Sequence, residues 1–167
     1  AGDIGGYGVA TWAAFRVPRD HDAYLSLPEV VARAESAAET VGVADDGLTA
    51  IQLPFNVAMA DAFTVSAHRH PTDDRDVSAL EYAQAAGLDV VASATLAQGD
   101  LAASIPAGVD AELTGDTAAQ RAINFARSAP GVTTALVGTS SPRHVPENVA
   151  AGTFEPLGAR AFDAVFE

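Results

Sequence analysis

A hydroxyl-rich turn near the C-terminal end of the sequence has the residue types best suited to binding a ligand. Gly138, Thr139, Ser140 and Ser141 follow an apolar run at residues 132–137 and precede Pro142. Serine followed by proline predicts a helix with Ser141 as its N-cap and Pro142 as its first residue. The free N–H groups of such a helix start, its dipole and three hydroxyls suit a phosphate group. The alternative is an ordinary capped turn between a strand and a helix.

The elements around this turn follow from four apolar runs that alternate with helical patterns. The predicted strands cover residues 4–11, 48–54, 88–94 and 132–137. The predicted helices cover residues 27–41, 79–86, 118–128 and 157–165, with a further helix from Pro142. Serine N-caps begin the first two helices, and Asp116 or Thr117 begins the third. Residues 55–76 and 95–115 are predicted to be irregular loops.

Strands buried on both faces and separated by helices predict one α/β domain, residues 1–167, with a parallel sheet. Two architectures fit this order: a small doubly wound sheet, or four consecutive units of a TIM (β/α)8 barrel. The long loops follow the strands, where both architectures bind ligands, and they favour the barrel. No GxGxxG motif follows a strand, which argues against a Rossmann dinucleotide site.

Composition limits the partners that the chain can bind. The 167 residues include 22 acidic and 9 basic residues, for a net charge of −13, and every basic residue is arginine. This balance argues against nucleic acid and anionic membrane as partners. An acidic, lysine-free and alanine-rich chain resembles proteins of salt-loving archaea, so a halophilic, haloarchaeal-like background is expected. With no cysteine, no exported leader and no long apolar run, a cytoplasmic protein is expected.

Five segments together resemble the aldo/keto reductase family. They are residues 8–12 (GVATW), 51–56 (IQLPFN), 90–99 (VVASATLAQG), 119–126 (AQRAINFA) and 130–148. Their order is that of the last four barrel units in this family. The resemblance implies the C-terminal half of a (β/α)8 barrel, an NAD(P)H-dependent reduction of aldehydes or ketones, and NADP or NAD bound across the ends of the strands.

The resemblance also implies a set of cofactor contacts. Gln52 would hydrogen-bond the nicotinamide carboxamide, which suits a neutral amide. The other implied contacts are Leu96, Gln98 and Gly99 over the pyrophosphate, Gly138, Thr139, Ser140, Ser141 and His144 at the adenosine phosphate, and Glu147 and Asn148 at adenine. A Glu-Asn pair supplies both an acceptor and a donor to an adenine edge.

Several positions depart from the family pattern. Ala10 and Thr11 replace a Ser-Asn pair, and Ser93 replaces an aromatic residue that stacks under nicotinamide. Gly138 replaces a lysine, and His144 replaces an arginine, with Arg143 beside it. Because a 2′-phosphate prefers a guanidinium or ammonium partner, these two losses weaken the case for NADP and leave NADP and NAD both open.

The family's catalytic Asp, Tyr, Lys and His lie on the first four strands and have no counterpart here. We therefore expect the chain to supply mainly the cofactor-binding half of an oxidoreductase, with no catalytic residue of its own. Alternatives are a non-catalytic dinucleotide-binding or regulatory subunit, and a barrel that binds phosphosugars. The expected partners are a small-molecule carbonyl substrate and either a missing N-terminal half-barrel, the chain being a fragment, or a second copy in a homodimer that pairs exposed strand edges.

A second cluster of chemical side chains lies in the predicted loop at residues 55–76. His68 and His70, with Asp73, Asp74 and Asp76, are metal-ligand types, but an aspartate-rich loop is more often solvated, and no metal site is expected. Outside this loop, Tyr82 is predicted to pack in a helix. Trp12 is predicted to be buried in the core, with stacking at the cofactor as the alternative.

Overall fold

The computed structural model describes residues 3–166 of the chain. These residues form two compact units. The first unit runs to Leu53 and includes Asp61–Val90; the second comprises Pro54–Ala60 and the residues from Val91 onward. Strands β2 (Leu48–Pro54) and β5 (Asp89–Ser93) both contribute to each unit, because the boundaries fall within them.

Two parallel strands begin the first unit. Strand β1 (Tyr7–Ala10) pairs with β2 (Leu48–Pro54), with Gly8 opposite Ala50 and Ala10 opposite Gln52. A Cβ atom on Gly8 would lie 2.8 Å from the Ala50 carbonyl oxygen, so only glycine allows this approach. The sequence predicts β2 with the observed bounds, whereas β1 is shorter than the predicted strand at residues 4–11.

The crossover between these strands is helix α1 (Leu27–Val41). The Ser26 hydroxyl accepts a hydrogen bond from the Glu29 N–H at its N-terminus, and Gly42 ends it in the left-handed conformation. Leu27, Ala34 and Ala38 form its buried face. The prediction for this helix is confirmed at both ends, because Ser26, which begins it, and Gly42, which ends it, are signals within the local sequence.

The predicted loop at residues 55–76 contains short elements that the sequence analysis missed. These are helix α2 (Asp61–Thr64) and an antiparallel hairpin of β3 (His68–Arg69) and β4 (Asp76–Val77). Helix α3 (Ala79–Ala85) follows, capped by Ser78 as predicted. His68, Val77 and Leu80 are buried, so this segment belongs to the core of the first unit.

The second unit is organised around helix α6 (Ala118–Ser128). Strand β5 (Asp89–Ser93) pairs in parallel with β6 (Thr134–Ala135), where Val91 lies opposite Thr134. Helices α4 (Asp100–Ala103), α5 (Ala107–Asp110), α7 (His144–Ala150) and α8 (Ala159–Asp163) complete the unit. Helix α6 packs against α4, α7 and β6, so it fixes the positions of three elements.

Aromatic packing forms the core beneath α6. Phe125 stacks on Phe55 with a centroid distance of 5.6 Å and on Phe162 at 4.9 Å. All three rings are fully buried. Stacked pairs of this kind add stability beyond that of the buried area alone.

Two predictions at the end of the chain are wrong in detail. The fourth strand covers only Thr134–Ala135 instead of residues 132–137. Ser141 is not the N-cap: helix α7 begins at His144, its cap position is Arg143, and no side chain caps it. A single turn precedes the helix, in which the His144 N–H donates to the Ser141 carbonyl and the Val145 N–H to the Pro142 carbonyl.

Candidate functional site

The second unit contains an open cavity of about 640 Å³. Its walls are the loop after β5, helix α4, the start of α6, the turn after β6, and one face of α7. Nine of the residues implied by the sequence resemblance line it: Leu96, Gln98, Gly99, Gly138, Thr139, Ser140, His144, Glu147 and Asn148. Residues from three separate segments of the sequence are thus brought together at one cavity.

The wall that follows β5 has an unusual backbone. Ala94, Ala97 and Gln98 have φ angles of 54°, 46° and 60°, in the left-handed region that non-glycine residues rarely occupy. Gly99 follows with φ 108°. In the described chain, the N–H groups of Leu96 and Gln98 donate to no protein acceptor. Strained backbone of this kind is concentrated at ligand-binding segments of proteins.

A buried amide holds the start of this loop. The Asn56 Nδ2 donates to the Ala94 carbonyl at 2.8 Å, while its Oδ1 accepts from the N–H groups of Ala58 and Met59 at 2.8 and 2.9 Å. Asn56 is fully buried, so each of these bonds replaces a lost bond to water. The family resemblance does not imply a cofactor contact for this residue. The only sign of it in the sequence is an asparagine two residues after the end of a buried strand, where turn residues are common.

The opposite wall is the hydroxyl-rich turn. The N–H groups of Gly138, Thr139 and Ser140 have no protein acceptor among the described residues. The Thr139 hydroxyl donates to the Ser141 carbonyl at 3.2 Å. No atom lies within 4 Å of a Cβ built on Gly138, so this position has room for a side chain. The anion-binding groups of this wall are therefore those of the turn, because the first N–H groups of α7 are already paired.

Helix α7 forms the third wall, with His144, Glu147 and Asn148. The Arg143 Nε donates to His144 Nε2 at 3.2 Å. The Gln120 Nε2 donates to the Glu147 carbonyl at 3.2 Å and joins α6 to α7. Among the described residues, no arginine lines the cavity, whereas one carboxylate does.

Two of the implied contacts lie elsewhere. Ser141 does not line the cavity; its carbonyl oxygen closes the turn before α7. Gln52 lies on β2 in the first unit, half-buried, and its carbonyl accepts from the Thr11 N–H at 2.9 Å. The Thr11 hydroxyl beside it is buried and has no hydrogen-bond partner in the part of the chain that is described. A buried hydroxyl without a partner is costly, and a bound ligand could satisfy it.

Within the histidine and aspartate cluster, His68 has a structural role. His68 Nδ1 accepts from the Leu27 N–H at 3.3 Å, and its Nε2 lies 2.8 Å from the Phe15 carbonyl, to which it donates. Both ring nitrogens are therefore engaged. Burial, assisted by the charge of Arg19, lowers the pKa of His68, against the opposing effect of its bond to Phe15. Within residues 3–166, no three His, Cys, Asp or Glu side chains are placed to hold a metal ion.

The aromatic candidates of the first unit also have specific positions. Trp12 is 59% exposed, contrary to the core burial predicted for it, and its carbonyl accepts from Arg16. The Tyr24 hydroxyl donates to the Ala67 carbonyl at 2.7 Å. Tyr82 is buried in α3 as predicted, and burial raises its pKa. Among the described residues, no helix combines the length and the apolar composition that a membrane span requires.

Comparisons with known proteins give no family assignment from sequence. No family model matches the chain. No curated protein matches it either.

Solved structures do match. An aldo-keto reductase from Bacillus halodurans, AKR11C1 in its holo form, has a TM-score of 0.50 at 19% identity, covering 80% of this chain and 46% of the other. Its apo form has a TM-score of 0.52 at 15% identity, with 97% and 62% covered. The thermostable aldo-keto reductase Tm1743, solved with the inhibitor epalrestat, has a TM-score of 0.53 at 17% identity, with 76% and 42% covered.

These similarities establish the fold. The chain is a parallel α/β protein with the fold of part of an aldo-keto reductase barrel, as the sequence pattern predicts. It spans about half the length of the structures that it matches. The doubly wound alternative is therefore set aside in favour of the half-barrel.

Proposed function

We propose that the cavity of the second unit binds the adenosine and phosphate groups of a nicotinamide dinucleotide. The observation that carries this proposal is the meeting of free backbone N–H groups, hydroxyls and a Glu-Asn pair at one cavity. A volume of about 640 Å³ falls within the ordinary range for small-molecule sites.

Each wall offers a different part of the recognition. The unpaired N–H groups at Leu96 and Gln98 suit the pyrophosphate oxygens, because oriented amides of irregular backbone bind anions. The hydroxyls of Thr139 and Ser140 suit a second anionic or sugar oxygen. Asn148 has an amide that can donate to adenine and accept from it. Gln52 and Ser141 remain predictions, because they lie outside this cavity.

The activity that we propose for the whole enzyme is aldo/keto reductase-like reduction of an aldehyde or ketone. The bound nicotinamide would supply the hydride. The residues of this chain bind the cofactor and orient it; with no lysine in the sequence, the chain has no lysine to assist proton donation. The same observation supports the second candidate, a dinucleotide-binding subunit without catalysis.

Calorimetric titration of the chain with NADH and NADPH tests the binding. Ala103 lines the cavity at an exposed position of α4, so Ala103→Trp fills the cavity without disturbing a core. We expect this variant to lose dinucleotide binding. The matched control is Ala37→Trp, on the exposed face of α1, which should bind as the unsubstituted chain does.

Two results would overturn the proposal. One is the absence of binding for either nucleotide. The other is an Ala103→Trp variant that binds as well as its control does. Titration with ribose 5-phosphate and glucose 6-phosphate belongs in the same series, since tighter binding of a sugar phosphate would favour the phosphosugar alternative.

Turnover tests the division of roles. With NAD(P)H and a panel of aldehydes, this chain alone is expected to show no oxidation of the cofactor above background. Clear turnover would show that the proton donor lies among these residues. The carbonyl substrate, the second half-barrel and the homodimer all remain predictions.

A further inference from the structure

The cavity carries an electrostatic preference that goes beyond the binding of a dinucleotide. We propose that it selects a dinucleotide whose adenosine ribose has a free 2′-hydroxyl, NAD(H), over the 2′-phosphorylated form, NADP(H). This inference rests on the proposed function and specifies the ligand of the same site. It is argued from the charges on the walls.

The first observation is the lack of a cation to receive a second phosphate. A phosphate monoester carries about −1.5 to −2 charges near neutral pH, and proteins bind it with guanidinium or ammonium groups. Among the described residues, neither group lines the cavity, and no lysine exists anywhere in the chain. At Gly138 the wall has open space instead of a side chain.

The second observation concerns the two basic residues nearest the cavity. His144 lines it, and its Nε2 is occupied by a hydrogen bond from Arg143. The Arg143 guanidinium is turned to that imidazole and is absent from the lining. Arg143 therefore places no guanidinium in the lining of the cavity.

The third observation is the Glu147 carboxylate on the same wall. The backbone of Glu147 is held against α6, because its carbonyl oxygen accepts from Gln120. Beside adenine, this carboxylate adds negative charge to the wall and repels a second phosphate on the neighbouring ribose.

The test is a paired calorimetric titration of the chain with NADH and NADPH, and with 5′-AMP and adenosine 2′,5′-bisphosphate. We expect NADH to bind at least about tenfold more tightly than NADPH, the factor that one charge-assisted contact supplies. Likewise, 5′-AMP should bind more tightly than adenosine 2′,5′-bisphosphate, which would locate the preference at the adenosine ribose.

Two variants probe the cause. Gly138→Lys places an ammonium in open space and should raise the affinity for NADPH by about tenfold relative to the affinity for NADH. Gly158→Lys is the matched control, since it adds the same charge at another open glycine of the second unit. Glu147→Gln should weaken NADH binding and reduce the difference in affinity between NADH and NADPH.

The outcomes separate the two proposals. Binding of NADPH as tightly as NADH, or more tightly, overturns the preference and leaves the proposed function standing. A Gly138→Lys variant that gains no more affinity for NADPH than the Gly158→Lys variant does also overturns the preference. Binding of none of the four nucleotides overturns the proposed function itself.

Discussion

At the scale of single residues, His68 shows how burial converts a candidate metal ligand into a structural group. Its ring is enclosed by Tyr24 and Tyr82, with centroid distances of 5.6 and 6.2 Å, and both nitrogens bond to backbone. The Leu27 N–H needs an unprotonated Nδ1, so protonation would break that bond. The native state therefore holds this histidine neutral.

This burial predicts a pH dependence of stability. The lowered pKa of His68 means that the unfolded chain binds a proton, with a pKa of about 6.5, before the folded chain does. Since the unfolded state then holds more protons, the contribution of His68 to the free energy of unfolding is fully present above that pH and is lost as the pH falls. Urea unfolding between about pH 7 and pH 5 measures the slope.

The control for this slope is a second histidine. His21 is exposed, so His21→Gln should keep the slope of the unsubstituted chain, whereas His68→Gln should flatten it. Equal slopes in all three proteins would contradict the assignment. If His68→Gln does not fold, the chemical shift of the His68 ring in the unsubstituted chain serves instead, because it should not titrate near pH 6.5.

Asn56 gives the second prediction at this scale. In Asn56→Asp a carboxylate oxygen replaces the amide nitrogen that donates to the Ala94 carbonyl at 2.8 Å. Two acceptors would then face each other in a buried place, at a cost of about 1–3 kcal/mol in the free energy of unfolding. Urea unfolding measures this loss. Asn148→Asp, with no side-chain bond of this kind, should change stability little; an equal loss there would count against the argument.

At the scale of elements, local signals predicted the longest helices well. Helices α1 and α6 have the predicted bounds because Ser26 and Thr117 cap them and because Gly42 or Pro130 follows them. These signals act within one turn of the helix, so a sequence contains them in full.

The remaining elements depend on contacts that a sequence does not display. The hairpin of β3 and β4 is only two residues long on each side, and its place is fixed by the burial of His68. The left-handed angles at Ala97 and Gln98 contradict the intrinsic preference of these residues, so a sequence does not predict them. The cofactor contacts were predicted from the family resemblance. That nine of these residues line one cavity is visible only in the folded chain.

The start of α6 gives a prediction at this scale. The Thr117 hydroxyl accepts a hydrogen bond from the Gln120 N–H, and the Gln120 Oε1 accepts one from the Thr117 N–H. Thr117→Val keeps the volume and removes the cap, so we expect a loss of about 1 kcal/mol in the free energy of unfolding. The control is Thr40→Val on the exposed side of α1, expected to change it by less than about 0.5 kcal/mol. Similar losses in both variants would contradict a specific role for the cap.

At the scale of the whole chain, net charge governs the response to salt. The chain carries −13, and its ion pairs, such as Arg16–Asp61 and Arg121–Asp110, leave most carboxylates without a cation in the sequence to match them. Raising the ionic strength from about 0.1 M to 1 M shortens the Debye length from about 10 Å to 3 Å and screens this repulsion. We therefore propose a halophilic character.

The measurement is the melting temperature in increasing KCl and in increasing NaCl. It should rise with ionic strength, and equally for the two salts, because screening depends on ionic strength alone. A fall would mean that the loss of attractive ion pairs outweighs the relief of repulsion. A rise in only one of the salts would indicate specific ion binding.

The exposed indole of Trp12 has a practical consequence for spectroscopy. It is the single tryptophan, and together with Tyr7, Tyr24 and Tyr82 it lies in the first unit. The second unit has only phenylalanine among its aromatic side chains. Intrinsic fluorescence therefore reports on one half of the chain, while the half with the cavity emits almost nothing. A tryptophan introduced by Ala103→Trp would give that half its own optical signal.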